Sequence, residues 1–228
     1  IDDYSGWSVS LSSDGTILAV GAADNDDGGM SAGHVRIYYY SGGMWHQMGS
    51  DIDGLNIGSD AGRSVSLSSD GNRVAIGEPG YNGGQGGTRV LKWNGSSWTQ
   101  IGSIISGEAA NDNSGFSVSL SNDGGIVAIG APNNDGNGSN SGHVRVFENI
   151  NGTWTQIGQD IDGEAGNDNS GWSVSLSSDG SIVAIGARYN DGNGTNSGNV
   201  RIFENNNGTW TQIGQDIDGE KGGDYSGF

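Results

Sequence analysis

The distribution of apolar and polar residues along the chain repeats one pattern four times. In its fourth occurrence, residues 173–177 alternate serine with Val and Leu, residues 178–180 form a Ser-Asp-Gly turn, and residues 181–187 are almost continuously apolar. Alternation is typical of a strand with one buried face, and a continuous apolar run is typical of a strand covered on both faces. The pattern therefore predicts a β-hairpin at the start of each repeat.

Two further strands are predicted in each repeat. In the fourth one, a polar loop leads to an apolar strand at residues 198–203, and an Asn-Gly turn separates this strand from another at 209–214. Residues 216–219 then lead into the next repeat. Four short antiparallel strands without helical periodicity are typical of a β-propeller blade. We therefore predict an all-β fold, a β-propeller-type repeat with four four-stranded antiparallel blades.

The four repeats follow one another without a linker. Their first strands begin at equivalent glycines: Gly6, Gly62, Gly115 and Gly171. We interpret 1–228 as a single repeat domain with approximate repeats at 6–61, 62–114, 115–170 and 171–226, and with 227–228 beginning a further repeat. The end of the chain restates residues 3–7, so the blades are expected to belong either to a larger ring or to an open helical array that can pass its end to a neighbour.

Two side chains recur at fixed positions in all four repeats. Tryptophan stands in the fourth strand, where we predict packing between blades in preference to a ligand platform: Trp45, Trp98, Trp154 and Trp210. Arginine stands in the third strand: Arg36, Arg89, Arg145 and Arg201. Because cations are few, each arginine is expected to act as a structural clasp by pairing with a carboxylate of the connector between repeats, such as Asp112, Asp168 or Asp224.

Composition limits both the core and the partners. With 32% hydrophobic residues and 45 glycines among 228 residues, the chain is expected to bury thin cores between repeated layers. A net charge of −18 argues against nucleic acid and anionic lipid as partners and leaves cations and neutral glycans compatible. The absence of cysteine excludes disulfides and thiolate metal sites. No apolar run reaches the roughly 20 residues of a membrane helix, so membrane insertion is not expected.

The repeat resembles a known extracellular family. The resemblance lies in the Phe116 or Trp172 start, the Ser-Val-Ser-Leu-Ser strand, the Ile-Val-Ala-Ile-Gly-Ala strand that precedes Pro132, and the Gly-His-Val-Arg-Val-Phe strand at 142–147. These segments are similar to the FG-GAP repeat of integrin α-chain propellers and related proteins. The resemblance implies β-propeller blades, a role in adhesion and extracellular assembly, and calcium bound between the first two strands of several repeats. Here that turn, at 121–124 for example, is too short for the six to eight oxygen ligands of calcium.

The loop after the second strand is the place where oxygen ligands gather. Asp and Asn alternate there with a glycine for the bend, an arrangement that suits Ca²⁺, and the candidate metal ligands are Asp24, Asp26, Asp27, Asn133, Asp135 and Asp191. The equivalent loop of the second repeat, residues 80–87, has no acid. Asn-Gly and Asp-Gly pairs are also ordinary turn chemistry. Both interpretations stay open, and Ca²⁺ is the only cofactor that the sequence suggests.

Five asparagines match the N-glycosylation acceptor pattern and occupy two loop positions of the repeat: Asn94, Asn137, Asn151, Asn193 and Asn207. Their use would require secretion in a eukaryote. Recurrence is partly inherited from duplication, so the five sites are not independent. Asn137 and Asn193 also belong to the candidate calcium loops, where a glycan would remove the amide from the metal.

Catalysis finds little support in the sequence. The histidines are scattered: His34, His46 and His143. Three carboxylates qualify as glycosidase-type residues by composition only: Glu78, Glu108 and Glu164. A catalytic site needs one singular constellation, whereas duplicated repeats offer the same side chains to every blade. We therefore expect no catalytic residues and no enzyme activity.

Three function classes follow, of which one is favoured. The favoured one is a non-enzymatic extracellular or cell-surface structural or adhesive repeat protein that self-associates head to tail into a homopolymer, such as a glycosylated fibril subunit. The alternative is a discrete calcium-dependent or lectin-like binding propeller. An enzyme on a propeller scaffold is the third class, because fold does not determine function.

Overall fold

The computed structural model describes residues 3–228 and consists of four antiparallel β-sheets in a row. In each sheet four strands lie side by side, and a fifth, two-residue strand pairs with the third one. The all-β fold with four four-stranded antiparallel blades is therefore confirmed. A four-residue helical turn is the exception: α1 (Tyr81–Gly84) lies in the loop of the second repeat that has no acidic residue.

The strands are numbered in chain order. The first sheet contains β1 (Ser5–Leu11), β2 (Ile17–Ala22), β3 (His34–Ser41), β4 (Met44–Gln47) and β5 (Ile52–Asp53). The second contains β6 (Ser64–Leu67), β7 (Arg73–Glu78), β8 (Gly87–Trp93), β9 (Trp98–Gln100) and β10 (Ile105–Ser106). The third contains β11 (Ser117–Leu120), β12 (Ile126–Ala131), β13 (His143–Ile150), β14 (Thr153–Gln156) and β15 (Ile161–Asp162). The fourth contains β16 (Ser170–Leu176), β17 (Ile182–Ala187), β18 (Asn199–Asn205), β19 (Trp210–Gln212) and β20 (Ile217–Asp218).

Two short strands share one edge of each sheet. In the third sheet, β14 pairs with the second half of β13, with Phe147 opposite Gln156, and β15 pairs with its first half, with His143 opposite Asp162. The equivalent residues 216–219 were predicted only as a connector. A two-residue strand is too short to show an alternating pattern, so its pairing could not be predicted from periodicity.

Apolar cores lie between consecutive sheets and not within one of them. The first core combines residues of the first sheet with residues of the second sheet: Ala19, Val35, Ile37, Ile52, Ala61, Val65, Leu67, Val74, Ile76 and Leu91. Two more cores join the second sheet to the third and the third to the fourth. Within residues 3–228, no buried cluster joins the first sheet to the fourth. The row of blades therefore has an uncovered face at each end.

Glycine permits the closest approach between neighbouring repeats. A Cβ atom at Gly130 in β12 would overlap the carbonyl oxygen of Gly171, which begins the next repeat. Gly171 itself has a φ of +84°, which disfavours side chains with a Cβ atom. Ser117 on the neighbouring strand β11 donates a 2.8 Å hydrogen bond to the same carbonyl. The glycine in each apolar second strand thus sets the spacing between blades.

The recurring tryptophans connect consecutive sheets. Trp154 donates from Nε1 to the carbonyl of Ile101 at 2.9 Å, across the joint between the second and third sheets. Trp98 and Trp210 make the same bond to Met48 and Ile157, at 2.8 Å each. In the first sheet Trp45 is 44% exposed, and no sheet precedes it within the described residues.

We expect Trp154→Phe to destabilise the fold and Trp45→Phe to leave it nearly unchanged. The first change leaves a part-buried carbonyl without its donor, which costs about 1–3 kcal/mol. Urea unfolding of the two variants and the parent chain measures the difference in free energy. Equal losses in both variants would contradict a role for the indole hydrogen bond at the joint.

Candidate functional site

The uncovered face of the first sheet exposes residues whose equivalents are buried in the second and third sheets. Val9 and Leu11 on β1 are 63% and 57% exposed. Their counterparts in the next two sheets are only 7–8% exposed: Val65, Leu67, Val118 and Leu120. We call the surface formed by Val9, Leu11 and Trp45 the front face. It is the surface that in the second and third sheets packs on a preceding sheet.

The uncovered face of the fourth sheet is its complement. Ile217 on β20 is 54% exposed, whereas the equivalent Ile52, Ile105 and Ile161 are 7%, 6% and 4% exposed. Val200 and Ile202 on β18 are half-buried, while the equivalent residues of the first and third sheets are buried. We call the surface formed by Val200, Ile202 and Ile217 the back face.

Hydrogen-bonding groups are also left open at the back face. The serines of the first strands show this, because two of them accept a hydrogen bond from the next sheet and the one in the fourth sheet does not. Ser66 accepts the main-chain N–H of Leu120, and Ser119 accepts that of Leu176, at 3.0 Å each. Ser175, their equivalent in the fourth sheet, is exposed and accepts no such bond within residues 3–228. The back face therefore offers an apolar patch beside an available acceptor.

The end of the chain covers one edge of the fourth sheet. Ser226 forms a parallel bridge with Gly198, as Ala61 does with Gly33 in the first sheet. The hydroxyl of Ser173 donates to the carbonyl of Gly227 at 3.0 Å. Residues 224–228 thus occupy the place on the fourth sheet that the start of the second repeat occupies on the first.

The recurring arginines bind main-chain carbonyls of the preceding repeat. Arg89, Arg145 and Arg201 donate to the carbonyls of Asp53, Ser106 and Asp162 at 2.7–2.8 Å. Arg36, which has no preceding sheet within the described residues, instead pairs with Asp51 of its own sheet at 2.7 Å.

The connector carboxylates expected to pair with these arginines have another role. Asp112, Asp168 and Asp224 accept the main-chain N–H three residues earlier, at 3.0–3.1 Å, and so cap turns. The expected ion pairs with these three aspartates are therefore wrong. The two-residue strands β5, β10 and β15 instead present main-chain carbonyls directly to the arginines. Two of the arginines also have a carboxylate nearby: Arg89 pairs with Glu78, and Arg145 lies 3.8 Å from Glu108 of the connector.

The candidate calcium ligands are dispersed by the loop that carries them. Asp26, Asp135 and Asp191 each accept a main-chain N–H of their own loop at 2.7–2.8 Å. Asp24 lines a pocket with Asp60, whereas Asp27 approaches His34 and Asp51. Asn133 donates to Asn113. Calcium at these positions stays a prediction, while two mixed acidic and histidine groups in the described chain could hold a metal ion.

All five candidate glycosylation asparagines lie on the surface, but their amides differ. Asn137 donates from Nδ2 to the carbonyls of Gly163 and Glu164, and Asn193 makes the equivalent pair of bonds. A glycan on either nitrogen would disrupt these bonds. Asn94, Asn151 and Asn207 lie in the hairpins that follow the third strands, so their amides are the more accessible acceptors.

A small acidic pocket opens between the first three repeats. Its volume is about 190 Å³, and its lining consists of Trp7, Ala23, Asp24, Asp60, Arg63, Pro79, Asn113 and Phe116. The Arg63 guanidinium lies 4.4 Å from the ring centres of both Trp7 and Phe116, a cation–π arrangement. Burial raises the pKa of Asp60 to about 6, the charge of Asp24 acts in the same direction, and Arg63 opposes it.

Asp60 was not among the residues predicted from the sequence. Its counterparts in the next two repeats are Asn113 and Asn169, which donate to the carbonyls of Pro79 and Pro132 at 3.2 and 2.6 Å. A carboxylate cannot donate in this way. The replacement of asparagine by aspartate at this repeat position is the signal that could have identified Asp60. The φ of 55° at Asp60 matches the 53–56° of the two asparagines, so the backbone is the same.

A known repeat family matches part of the chain. The model described as the FG-GAP repeat matches residues 98–147 and 160–203, which confirms the resemblance seen in the sequence. No curated protein matches the chain.

Solved structures share the fold at low sequence identity. A candidate 6-phosphogluconolactonase from Bacteroides uniformis is 15% identical with a TM-score of 0.63, and the match covers 92% of this chain and 54% of that one. A periplasmic gluconolactonase from Pseudomonas aeruginosa is 17% identical with a TM-score of 0.60, over 92% and 56%. TolB from Acinetobacter baumannii is 16% identical with a TM-score of 0.51, over 90% and 42%. The chain thus spans about half the length of these proteins, and the likeness shows the fold alone.

The expectation that the chain is not an enzyme is contradicted by these likenesses. Two of the structures that share its arrangement of sheets are named as lactonases, so the repetitive fold does not exclude catalysis. Duplicated repeats do not have to offer the same side chains, because they diverge: Asp60 stands where two other repeats carry asparagine.

The sole helix in residues 3–228 is the four-residue turn α1, which is much too short to cross a membrane.

We expect Asp60→Asn to stabilise the fold at neutral pH and to have little effect near pH 4. Because the pKa of Asp60 is raised, its favourable protonated state is lost as the pH rises from about 4 to about 6. Asparagine carries no charge there and can donate to the Ala23 carbonyl as its counterparts do. Since Asp60 is only half-buried, we expect a gain of about 1 kcal/mol at pH 7.5. Urea unfolding at both pH values measures it, and an equal gain at both would refute the charge argument.

Proposed function

We propose that this chain of FG-GAP repeats is an extracellular structural or adhesive subunit that assembles head to tail. In this assembly the front face of one copy docks on the back face of the next. The observation that carries the proposal is the exposure of Val9 and Leu11 at positions that are buried in the second and third sheets.

The occupant we propose for each open face is a second copy of this chain. The three existing joints show which groups must meet, and the two open faces supply both halves of that set. Leu11 would bring its main-chain N–H to the hydroxyl of Ser175, as Leu67 does to Ser10. Trp45 would reach the carbonyl of Ile213, as Trp154 reaches Ile101.

A joint of this kind leads to extended particles. The two faces are different surfaces, so the contact is heterologous, and a heterologous contact that does not close continues as a filament. The charge of −18 on each copy opposes association at low ionic strength. Apolar burial therefore has to dominate, and added salt should favour assembly by screening the repulsion.

In the proposed assembly, residues 224–228 lie where the incoming segment would bind. Residues 3–7 of an incoming copy correspond to residues 224–228, which already lie on the fourth sheet through Ser226 and Gly227. A complete joint requires the incoming segment to displace the resident one. Because the two segments have nearly the same sequence, this exchange replaces each contact by an equivalent one.

We expect the double substitution Val9→Asp and Leu11→Asp to weaken association by at least 100-fold. Burial of each apolar side chain contributes about 1.5–3 kcal/mol, and 1.4 kcal/mol corresponds to tenfold in affinity. Sedimentation velocity over a range of concentrations measures the change, and electron microscopy shows the particle shape. Ile150→Asp is the matched control. Ile150 is similarly exposed, at 50%, but belongs to neither the front face nor the back face.

Deletion of residues 224–228 forms the second arm of this experiment. It vacates the position of the incoming segment and should strengthen association of the parent chain but not of the double variant. Isolated monomers at every concentration, with and without the deletion, would contradict the proposal. That outcome would favour the alternative of a discrete calcium-dependent or lectin-like binding propeller.

Glycans and location complete the proposal. An extracellular subunit would carry N-linked glycans at Asn94, Asn151 and Asn207, which are exposed in the hairpins after the third strands. Asn137 and Asn193 would stay unmodified, because their amides hold the connector.

A second candidate function is hydrolysis of an ester or lactone bond in the acidic pocket. It is favoured by the Asp60 carboxyl group, whose raised pKa of about 6 suits a general acid or base. Arg63 lies in the same pocket and could stabilise negative charge that develops on an ester oxygen.

Hydrolysis of a sugar lactone and of an activated ester by the parent chain would test this function. We expect a rate that changes with an apparent pKa near 6 and that falls at least 100-fold in Asp60→Asn. Since this variant is expected to be the more stable one at neutral pH, lost activity could not be attributed to unfolding. Equal rates in both chains would exclude Asp60 as the catalytic group.

A further inference from the structure

Three potential metal ligands from different segments meet at the joint between the second and third sheets. His143 begins β13, and Asp160 precedes β15, one of the two short strands that share an edge of the third sheet. Glu108 belongs to the connector after β10. His143 Nδ1 lies 3.8 Å from a carboxylate oxygen of each acid. The three ligand atoms all lie within 4.8 Å of one another.

The imidazole of His143 is buried without a partner at this nitrogen. The side chain is 1% exposed, and Nδ1 has no hydrogen-bond partner within the described structure. Buried polar atoms are normally satisfied, so this one requires an explanation. A separation of 3.8 Å is too long for a hydrogen bond. It is close to the spacing of about 3.4 Å between two ligands of a tetrahedral zinc ion.

The charges around the imidazole also favour a cation between these groups. Burial, and then the charge of Arg145, lower the pKa of His143, while Asp160, Glu108 and Asp162 oppose this shift. A neutral imidazole offers a lone pair to a metal, and two carboxylates supply compensating negative charge. Arg145 lies 3.8 Å from the other oxygen of Glu108, so one oxygen of this acid remains free for a metal.

The residues at the equivalent positions of the other sheets help to distinguish a set of metal ligands from a chance cluster. In the second sheet Gly87 replaces the histidine and Ile104 replaces the aspartate, so both ligand types are absent together. In the fourth sheet Asn199 replaces the histidine and donates to Glu164 at 3.2 Å, which joins the two groups without a cation.

The first sheet has a related but weaker set. His34 lies 4.0 Å from Asp51 Oδ2, with Asp27 nearby, and its Nδ1 is also unpartnered. Arg36 already donates two hydrogen bonds to the same carboxylate oxygen, at 2.7 and 3.0 Å. Asp51 is thus engaged by a permanent cation, whereas Asp160 accepts only a neutral amide from Gln156.

We propose that His143 Nδ1, Asp160 and Glu108 bind a divalent transition-metal ion of the zinc type. Two oxygens and one nitrogen leave a fourth position for water or another ligand. Glu108 comes from the connector that follows the second sheet, and the other two ligands come from the third repeat. The ion would therefore stabilise the joint between the second and third sheets. This site is separate from the candidate calcium loop, and it does not depend on the proposed assembly.

Metal binding to chelator-treated, dialysed full-length chain tests the proposal directly. Zn²⁺ affinity is measured by competition with a chromophoric chelator in excess Ca²⁺, which occupies non-specific acidic sites. Co²⁺ absorption reports the coordination geometry. We expect one tight site with a four-coordinate Co²⁺ spectrum, and at least 100-fold weaker binding in His143→Asn.

The substitutions have internal controls. Asparagine is the residue that the fourth sheet carries at this position, so His143→Asn should fold, which unfolding in the presence of chelator verifies. His46→Asn is the matched control away from the site and should leave affinity unchanged. Zn²⁺ should raise the unfolding temperature of the parent chain but not of His143→Asn.

Three results would overturn the assignment. The first is no Zn²⁺ binding by the parent chain tighter than millimolar. The second is equal affinity in His143→Asn and the parent chain, which would place the ion on exposed acids. The third is loss of the site in His34→Asn but not in His143→Asn, which would move it to the first sheet.

Discussion

The packing of one thin sheet on the next is the constraint on which the rest of the structure depends. A single sheet of four short strands cannot bury the Val and Leu of its first strand, so the neighbouring sheet has to cover them. Val65 is nearly removed from solvent in this way, and Trp98 and Arg89 add hydrogen bonds to carbonyls of the first sheet. The joint is therefore directional, because its two sides contribute different groups.

A repeated joint makes departures from the repeat informative. Equivalent positions share the same backbone, so a changed side chain reflects a changed role or simple drift. Asp60 introduces a carboxylate where asparagines donate to carbonyls, and burial then perturbs its pKa. His143 places an imidazole where Asn199 makes a direct hydrogen bond. Asp60 lacks the partner that Asn113 and Asn169 have, and His143 lacks the partner that Asn199 has, which is why these two positions carry the chemical hypotheses.

The sequence was informative where structure depends on local pattern and uninformative where it depends on which segments meet. Alternation and the apolar run predicted strands such as β16 and β17, and the repetition predicted blades. The two-residue strands were missed, and with them the carbonyls that hold Arg89. The joint at Trp154 was expected as packing, but its acceptor on Ile101 could not be deduced from spacing. The Asp60 pocket combines side chains from three repeats, which no local pattern contains.

A directional joint leaves two different faces at the ends of an open row of blades. Here the end of the chain covers only the backbone edge of the fourth sheet, through Ser226 and Gly227, and leaves the side chains of Ile217 and Val200 accessible. An open backbone edge pairs with almost any strand and so promotes indiscriminate aggregation. A patterned side-chain surface accepts only a complementary one. The proposed head-to-tail assembly relies on this difference, because the exposed side chains fit only a surface that carries the same joint.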